Sequence, residues 1–421
     1  MSDAGNDPGV DSSARGRLNL PGKIFLIALV LLSINPAFTQ GRESINLLFC
    51  GALCLSPLVL LIKGTRVFIP KIDIPFGLVC FFVWFFPIVF HPESVRLSTM
   101  LFTCAYCFTF MMLARLLRIS NIGIDRMLRV IRWVVYAYAF ILICQQICIV
   151  TGLPLILRPY FYNPHLPFKL NSLSAEPSHT TMMLSVLVFF YACINNSLRD
   201  KGGFLNEIRR YPWFWAAYVW ILFTTHNTSA FIMFPFSLLP YLRKESVLYV
   251  AGAAVVGVLL FTFLPLKENV HYQRLSKIGT SLTTLDEKRI IEADSSISAR
   301  IVPTIRGVKS VDFRDHRLLT GYGVDADRQD IAPRPCDTQR RGFAGMLSMW
   351  HNYGALCALS FWAAIIILTL IRGRLLSILT FILAMLLSAD YNMQLVWQLL
   401  AISMYYKYAV CGRKKLLDTY P

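Results

Sequence analysis

Charged side chains are scarce in this 421-residue chain: they make up 15% of its residues, against 56% hydrophobic side chains, and the mean hydropathy is +0.54. An ordinary soluble protein carries about 25% charged residues and about 45–50% apolar ones. Long apolar runs recur from Lys23 to Val410, so the excess is not confined to one domain. This composition excludes a soluble enzyme, a disordered chain, a disulfide scaffold and a single-pass receptor. We predict an all-α polytopic membrane protein.

The sequence also lacks the patterns expected of pumps and many transporters. No Walker-type glycine loop of the form GxxxxGK[ST] occurs, which argues against an ATP-driven pump within this chain. Neither an internal repeat nor an inverted pair of interrupted apolar segments is recognisable. Eleven cysteines are present, but most lie in or beside apolar runs, where pairs such as Cys104 and Cys107 are expected to pack as small hydrophobic residues.

The apolar runs divide into about twelve segments, each near the roughly 20 residues with which a helix crosses a bilayer. They run approximately over 24–41, 45–62, 73–90, 97–114, 134–156, 178–194, 212–226, 228–242, 246–266, 346–371, 375–390 and 391–410. The predicted organisation is a flexible tail at 1–22, nine helices within 23–266, a large loop at 267–345, three helices within 346–410 and a tail at 411–421. Aromatic residues near segment ends, such as Trp213, Trp215, Tyr391 and Trp397, are interpreted as an interface belt.

Lysine and arginine collect on one side of these segments. The connections on the other side hold few of them, namely Arg42, Arg96, Arg158 and Lys169 outside the large loop. Because cytoplasmic loops are enriched in Lys and Arg, we predict an inner-membrane protein with both termini in the cytoplasm and a periplasmic outer face. The net charge of +17 then reflects topology, and we predict the lipid bilayer, and no nucleic acid, as a partner.

Two outer segments are more than simple turns. The segment 157–178 is rich in proline and aromatic residues and contains Arg158, Lys169 and Glu176. The segment 267–345 is long and polar, yet stretches such as SSISARIVPTIRGV keep an apolar periodicity. Loops of this length are usually functional or disordered. We therefore predict one large, mainly helical periplasmic loop that folds as a cap.

Four local patterns follow one another in these outer parts. They are LNSLSAEPSH before the sixth span, FTTHNTSAF at the seventh-to-eighth turn, SSISARIVPTIRGVKSVDFRDHRLLTGYG in the large loop and SMWHNYGALCALSFW at the tenth span. In this order they resemble the EPS box, the Thr/Ser-rich outer turn, the loop element with an Arg, a helix and a G-x-G, and the HN helix of the O-antigen polymerase (Wzy) and O-antigen ligase superfamily. The turn departs from the family pattern, because Ala230 follows Ser229 where an Arg is common.

The resemblance implies a GT-C-like helical fold and a metal-independent glycosyltransferase that needs no cofactor. Such an enzyme joins oligosaccharide repeat units linked to a polyprenyl diphosphate, such as undecaprenyl diphosphate, into O-antigen, capsule or exopolysaccharide. The leaving diphosphate develops negative charge that fixed cations stabilise, and arginine suits phosphate oxygens. A general base must also accept the proton of the attacking hydroxyl. A flippase and a chain-length regulator would be further partners.

Candidate residues for these roles lie in the outer segments. Arg300, with Arg158 or Lys169, would hold the diphosphate, while His351 or Glu176 would handle the acceptor proton. Each has a plainer alternative, because Arg300 could form a structural salt bridge, Arg158 and Lys169 could anchor headgroups, and Glu176 could cap the next helix. His351 lies a few residues inside a predicted span, where ionisable residues are functional hypotheses. Further candidates for substrate binding are Arg306, His179 and Asn352.

Three other functions stay open from the sequence. A ligase moving finished glycan onto lipid A–core shares the donor, and the EPS box together with a loose match after His351 and Asn352 favours the polymerase. A transporter of lipid-linked oligosaccharide would be expected to show charged residues deep in its spans, whereas here they collect at the outer ends. A structural subunit of an envelope-synthesis complex would leave the two unusual outer segments unexplained.

Overall fold

The structure is a computed structural model of the chain. It describes residues 17–36, 38–40, 43–45, 51, 57–66, 68–157, 167–199, 203–225, 234, 237–241, 277, 280–281, 284, 286–293, 298, 302–303, 305–306, 309, 314–324, 347–371, 374–375, 378, 381–382, 391 and 393–411. Its helices are α1 (Leu20–Leu32), α2 (Pro70–Phe90), α3 (Leu97–Ile119), α4 (Ile124–Thr151), α5 (Pro177–Ile194), α6 (Gly203–Arg210), α7 (Pro212–Thr224), α8 (Glu287–Ala293), α9 (Arg317–Thr320), α10 (Ser348–Thr369) and α11 (Gln394–Cys411).

Short elements connect the helices. Strands β1 (Phe38–Gln40) and β2 (Glu43–Ile45) pair antiparallel. Turns of 3-10 helix lie at Pro57–Leu61, Pro92–Ser94 and Leu239–Tyr241, and a π-helical turn lies at Asn195–Arg199.

Among the described residues, five helices are long and apolar enough to cross a membrane, which confirms the predicted helical membrane protein in its coarse form. They are α2, α3, α4, α5 with its extension to Leu198, and α10. The predicted spans at 228–242, 246–266 and 375–390 lie largely outside the described residues, so the count of twelve stays a prediction.

The first predicted span, 24–41, is too long. Helix α1 begins earlier, at Leu20, and ends at Leu32, and residues 38–40 already belong to β1. The reason is local, because Pro36 disfavours a helical conformation at Asn35 and has no N–H for a helical hydrogen bond. The N–H of Asn35 donates instead to the carbonyl of Leu173, at 2.9 Å.

Helix α2 shows why these helices belong in lipid. One face is buried in the protein through Ile72, Phe76, Val79 and Val83, while the opposite face exposes equally apolar side chains. The exposed ones include Ile74, Leu78, Phe81, Phe85 and Ile88. An exposed stripe of large apolar side chains at helical spacing is stable only against another apolar medium. The acyl chains of a bilayer provide that medium.

The centre of the bundle is α5, in which every residue except His179 is buried. It packs against α11, which is buried from Gln394 to Tyr408, and against α4. Helix α10 packs along α2, and Phe76 of α2 makes edge-to-face contacts with Phe110 of α3 and Phe361 of α10. The interface-belt interpretation is wrong for Trp215, Tyr391 and Trp397, because all three side chains are buried inside the protein.

The two ends of the bundle differ in chemistry. At one end, the carboxylate of buried Asp73 accepts from the Arg115 guanidinium at 2.6 Å and from the backbone N–H of Ile69. At the other end, the segments 33–36, 91–96, 169–176, 314–324 and 347–351 come together, and we call it the loop end. Hydrogen bonds and close contacts join these segments in pairs, for example Asn35 to Leu173 and Gly323 to Ser94.

The packing of α2 makes a prediction about stability in detergent. We expect Phe76→Ala to lower the free energy of unfolding by about 3 kcal/mol, because a buried Phe replaced by Ala leaves a cavity. The matched change Phe81→Ala on the lipid-facing side removes a ring that is 54% exposed, and we expect it to change stability by less than about 0.5 kcal/mol. Thermal unfolding of the purified variants measures both. Equal effects would show that α2 does not present these faces to protein and lipid.

Candidate functional site

The most distinctive feature of the loop end is a break inside α10. Gly354 has a φ of 81° and a ψ of 171°, which separates the first turn and a half of the helix from the remainder. Such a left-handed φ favours glycine. The sequence SMWHNYG thus forms a short helical segment that ends at Gly354, a residue type at which helices commonly kink.

A second glycine segment fits against this break. Gly321 and Gly323 lie just after α9 and have φ values of 86° and 102°. A Cβ atom at Gly321 would lie 2.6 Å from the carbonyl oxygen of Asn352, and a Cβ atom at Gly354 would lie 2.0 Å from the carbonyl oxygen of Leu319. The two backbones therefore approach as closely as only glycine permits. We call this contact the glycine interlock.

Hydrogen bonds fix the same two segments to each other. The N–H of Tyr322 donates to the carbonyl of His351 at 2.8 Å, which satisfies a carbonyl that the break in α10 frees. The indole N–H of Trp350 donates to the carbonyl of Leu318, also at 2.8 Å. The predicted G-x-G element and the predicted HN helix therefore form one unit, although about thirty residues separate them in the sequence.

His351 lies at the centre of this unit. Its side chain is buried, and its ring stacks on Tyr322 with centroids 4.8 Å apart and an interplanar angle of 11°. Its Nδ1 lies 3.4 Å from the Oδ1 of Asn352. His351 and Asn352 are neighbours in the sequence, and their side chains contact each other, while the stack on Tyr322 holds the imidazole in one orientation.

A charged pair lies beside the stack. The Arg317 guanidinium is 5.1 Å from the Tyr322 ring centroid, within the range of a cation–π contact. Its Nε lies 2.9 Å from a carboxylate oxygen of Asp315, and this hydrogen bond lowers the pKa of Asp315 and raises that of Arg317. An imidazole and a guanidinium are groups that can donate hydrogen bonds to sugar and phosphate oxygens.

The turn after α2 also packs against Gly323. Its proximity to the glycine interlock is not apparent from the sequence alone. A Cβ atom at Gly323 would lie 2.1 Å from the Oγ of Ser94 and 3.4 Å from the Cβ of His91. The imidazole of His91 is buried, with Nδ1 3.8 Å from a carboxylate oxygen of Glu93. The signal was present in the sequence as a histidine at the end of an apolar run, followed by Pro92 and Glu93.

A second cluster holds the EPS-box segment against the bundle. The hydroxyl of Tyr138 donates to the carbonyl of Ser33 at 2.7 Å and is 2.9 Å from the hydroxyl of Ser174. Gln145 receives the N–H of Ser172 at 2.9 Å and donates to the Asn171 side chain at 3.2 Å. These side chains are buried, and they define the conformation of residues 171–174.

Glu176 occupies the N-cap position of α5, but its side chain makes no capping hydrogen bond. Instead, one carboxylate oxygen accepts from the hydroxyl of Ser178 at 3.2 Å. The capping interpretation is therefore wrong for the side chain, although the residue does precede the helix. Lys169 and His179 flank this segment, and both are partly buried. Glu176 and His351 thus lie in two different clusters of the loop end.

Of the three predicted arginines, only Arg306 lies within the described residues. Arg306 donates through Nε to a carboxylate oxygen of Glu287 at 2.8 Å, and Lys309 approaches the other oxygen at 3.2 Å. These bonds lower the pKa of Glu287 and favour a structural role for Arg306. Arg158 and Arg300 lie outside the described residues. Their predicted contacts with the diphosphate stay predictions.

The chain was compared with protein-family models, with curated proteins and with solved structures, and no match was found in any of the three. The functional interpretation therefore depends on the chain's own residues. Among the described residues, no group of three or more His, Cys, Asp or Glu side chains could hold a metal ion.

The glycine interlock predicts that a methyl group added at Gly354 destabilises the protein, whereas one added at an uncrowded glycine does not. We expect Gly354→Ala to destabilise the protein by more than about 1 kcal/mol, because alanine is strained at a φ of 81° and would meet the Leu319 carbonyl. The matched control Gly77→Ala lies in α2, where nothing lies within 4 Å of a new Cβ, and it should be neutral or stabilise by up to about 1 kcal/mol.

Thermal unfolding measures this difference, and hydrogen exchange at the N–H of Tyr322 measures its location. In Gly354→Ala this N–H should exchange faster, because its acceptor on His351 moves. Equal unfolding temperatures and unchanged exchange would contradict the interlock.

Proposed function

We propose that the protein is a polysaccharide polymerase of the inner membrane. It would join oligosaccharide repeat units carried on polyprenyl diphosphate, at the periplasmic face. The single observation that carries the proposal is the buried His351, stacked on Tyr322 and held by the glycine interlock at one end of a membrane-embedded bundle. Buried polar groups this close to lipid are retained where chemistry needs them.

The proposed glycosyl transfer requires cations and a base in a site that excludes water. The diphosphate gains negative charge as the anomeric bond breaks, and fixed positive groups stabilise that charge most strongly where solvent is absent. In the proposal Arg300, with Arg158 or Lys169, binds the diphosphate, and His351 or Glu176 handles the acceptor proton. Asn352 and His179 would bind sugar or phosphate oxygens.

The orientation follows from charge. The loop end is the predicted periplasmic end, because the Lys and Arg residues outside the large loop collect at the opposite end. Both termini would then be cytoplasmic. In this orientation the broken first segment of α10 and the EPS-box segment face the compartment in which lipid-linked repeat units are polymerised.

Two other functions would use the same end differently. A ligase would accept lipid A–core in place of a second repeat unit, so the donor site would be shared. A transporter is less well supported, because substrate sites of transporters lie near the bilayer midplane, whereas His351 and the 171–176 segment lie at one end of the bundle.

The test uses purified protein in liposomes with a synthetic repeat unit linked to polyprenyl diphosphate. A ladder of multimers on a gel without lipid A–core is the expected result. Transfer that occurs only when lipid A–core is supplied would identify a ligase. Passage of the lipid-linked sugar across the bilayer without any product would identify a transporter and overturn the proposal.

Arginine variants test the electrostatic part. We expect Arg300→Ala to abolish polymer formation while the protein inserts normally, because the leaving diphosphate would lose its cation. The control Arg289→Ala removes an exposed arginine of the same loop, whose Nε lies 3.5 Å from the carboxylate of Asp286, and it should leave the ladder unchanged. Full polymer length from Arg300→Ala would remove that residue from the proposal.

A histidine variant tests the other half of the site. We expect His351→Ala to lower the turnover rate by about 100-fold, the size of effect typical of a lost acid–base or oxyanion contact. Insertion into the membrane and the unfolding temperature serve as controls for folding. Unchanged turnover would place His351 in packing alone.

A further inference from the structure

His91 lies at the exit of α2, where the chain turns sharply towards α3. Its backbone is fully engaged, because its N–H donates to the Pro87 carbonyl at 3.1 Å and its carbonyl accepts from the N–H and the hydroxyl of Ser94. The turn is therefore rigid, and the position of the imidazole is set by it. The side chain is only 9% exposed.

The imidazole has one nitrogen without a protein partner. Nδ1 is 3.8 Å from the Glu93 carboxylate, whereas Nε2 is buried and makes no hydrogen bond to any residue that the structure describes. A buried polar atom left without a partner costs about 1–3 kcal/mol. Such an atom indicates a site where an outside group completes the hydrogen bond.

The surroundings connect His91 to the candidate site. Gly323 packs directly on His91 and Ser94, and the next residue towards the N-terminus, Tyr322, stacks on His351. Adjacent Cα atoms are about 3.8 Å apart, so one short loop, Tyr322–Gly323, contacts both histidines.

We propose that His91 is the catalytic base that takes the proton from the acceptor hydroxyl. The inference rests on the proposed function and deepens it, since it assigns the acceptor side of the site. The Glu93 carboxylate is 3.8 Å from Nδ1, too far for a hydrogen bond, but its negative charge favours the imidazolium that forms when Nε2 accepts the proton. Glu93 thus acts through the charge of His91.

The acceptor O–H bond breaks as its proton moves to Nε2, and the oxygen forms a bond with the anomeric carbon of the donor. The bond between that carbon and the diphosphate oxygen breaks, and its electron pair leaves with the lipid diphosphate. The proton on His91 is released to water after the product leaves. In this assignment His91 takes the acceptor proton in place of His351 or Glu176, and His351 contacts the donor diphosphate.

Access to Nε2 requires a small movement. Gly323 lies against His91 and Ser94, and as a glycine it can absorb a change of backbone angle while Gly321 and Tyr322 keep their contacts with α10. An acceptor sugar would displace the Gly323 contact from Ser94. The base is thereby shielded from water until the acceptor binds, which disfavours transfer of the donor glycan to water.

The experiment measures kcat and KM of His91→Ala in the liposome assay. We expect kcat to fall by about 100-fold or more with little change in the KM of the donor, as for other general bases. Added imidazole should restore part of the turnover, and substituted imidazoles should restore more as their basicity rises. Glu93→Gln should lower kcat by a smaller factor, about 10-fold, with no rescue by imidazole.

The chain offers a matched control in His316. Its Nδ1 also lies 3.8 Å from a carboxylate, that of Asp315, but its side chain is 79% exposed. His316→Ala should leave kcat unchanged, because an exposed imidazole has no dry site in which to act.

Several results would overturn the inference. Full turnover of His91→Ala would do so, as would full turnover of His91→Gln, which fills the space without a base. Loss of turnover that no imidazole restores, together with a lower unfolding temperature, would assign His91 to packing. A wild type that forms no product would remove the proposed function and this inference together, so the two failures are distinguishable.

Discussion

A helix that breaks near lipid frees backbone N–H and C=O groups, and the remainder of the loop end depends on how the break at Gly354 is satisfied. A buried carbonyl without a donor is costly, so another protein segment must supply the donor. Here the N–H of Tyr322 supplies it to the carbonyl of His351. The large loop is thereby joined to the membrane bundle through its backbone.

This requirement explains why glycines occur in both segments. A hydrogen bond between two backbones demands close approach, and the spaces beside Gly321 and Gly354 are too small for a methyl group. Both residues also have positive φ values, which L-residues rarely adopt. The glycines therefore permit the contact, and the contact fixes the imidazole of His351 under Tyr322.

The sequence predicted the coarse architecture because hydropathy depends only on local composition. The predicted bounds of α2, α5 and α10 lie within about three residues of the observed ones, whereas α3 continues five residues beyond its predicted end. The prediction was wrong for α1, where Pro36 ends helical structure before the apolar run ends. Interface aromatics were also misassigned, since the burial of Tyr391 and Trp397 depends on neighbours that are distant in sequence.

The site itself was only partly predictable for the same reason. His351, Asn352 and Glu176 stand out as polar residues beside apolar runs, but which of them meet is a property of the three-dimensional fold. His91 becomes a candidate only when Gly323 is seen to pack on it. Arg306 is a weaker candidate for substrate binding, because Glu287, nineteen residues earlier, forms a salt bridge with it.

The two clusters of the loop end are joined through the start of α11. The N–H of Tyr391 contacts the hydroxyl of Ser348 at 3.4 Å, and Gln394 donates to the carbonyls of Leu31 and Ile34 near the end of α1. Gln398, one turn later, donates to the hydroxyl of Ser33. A chain of polar contacts thus connects the broken helix to the segment that holds residues 171–174. The links from Tyr391 to Ser348 and from Gln398 to Ser33 are buried and those from Gln394 are partly buried, so the hydrogen bonds hold the two clusters in one arrangement.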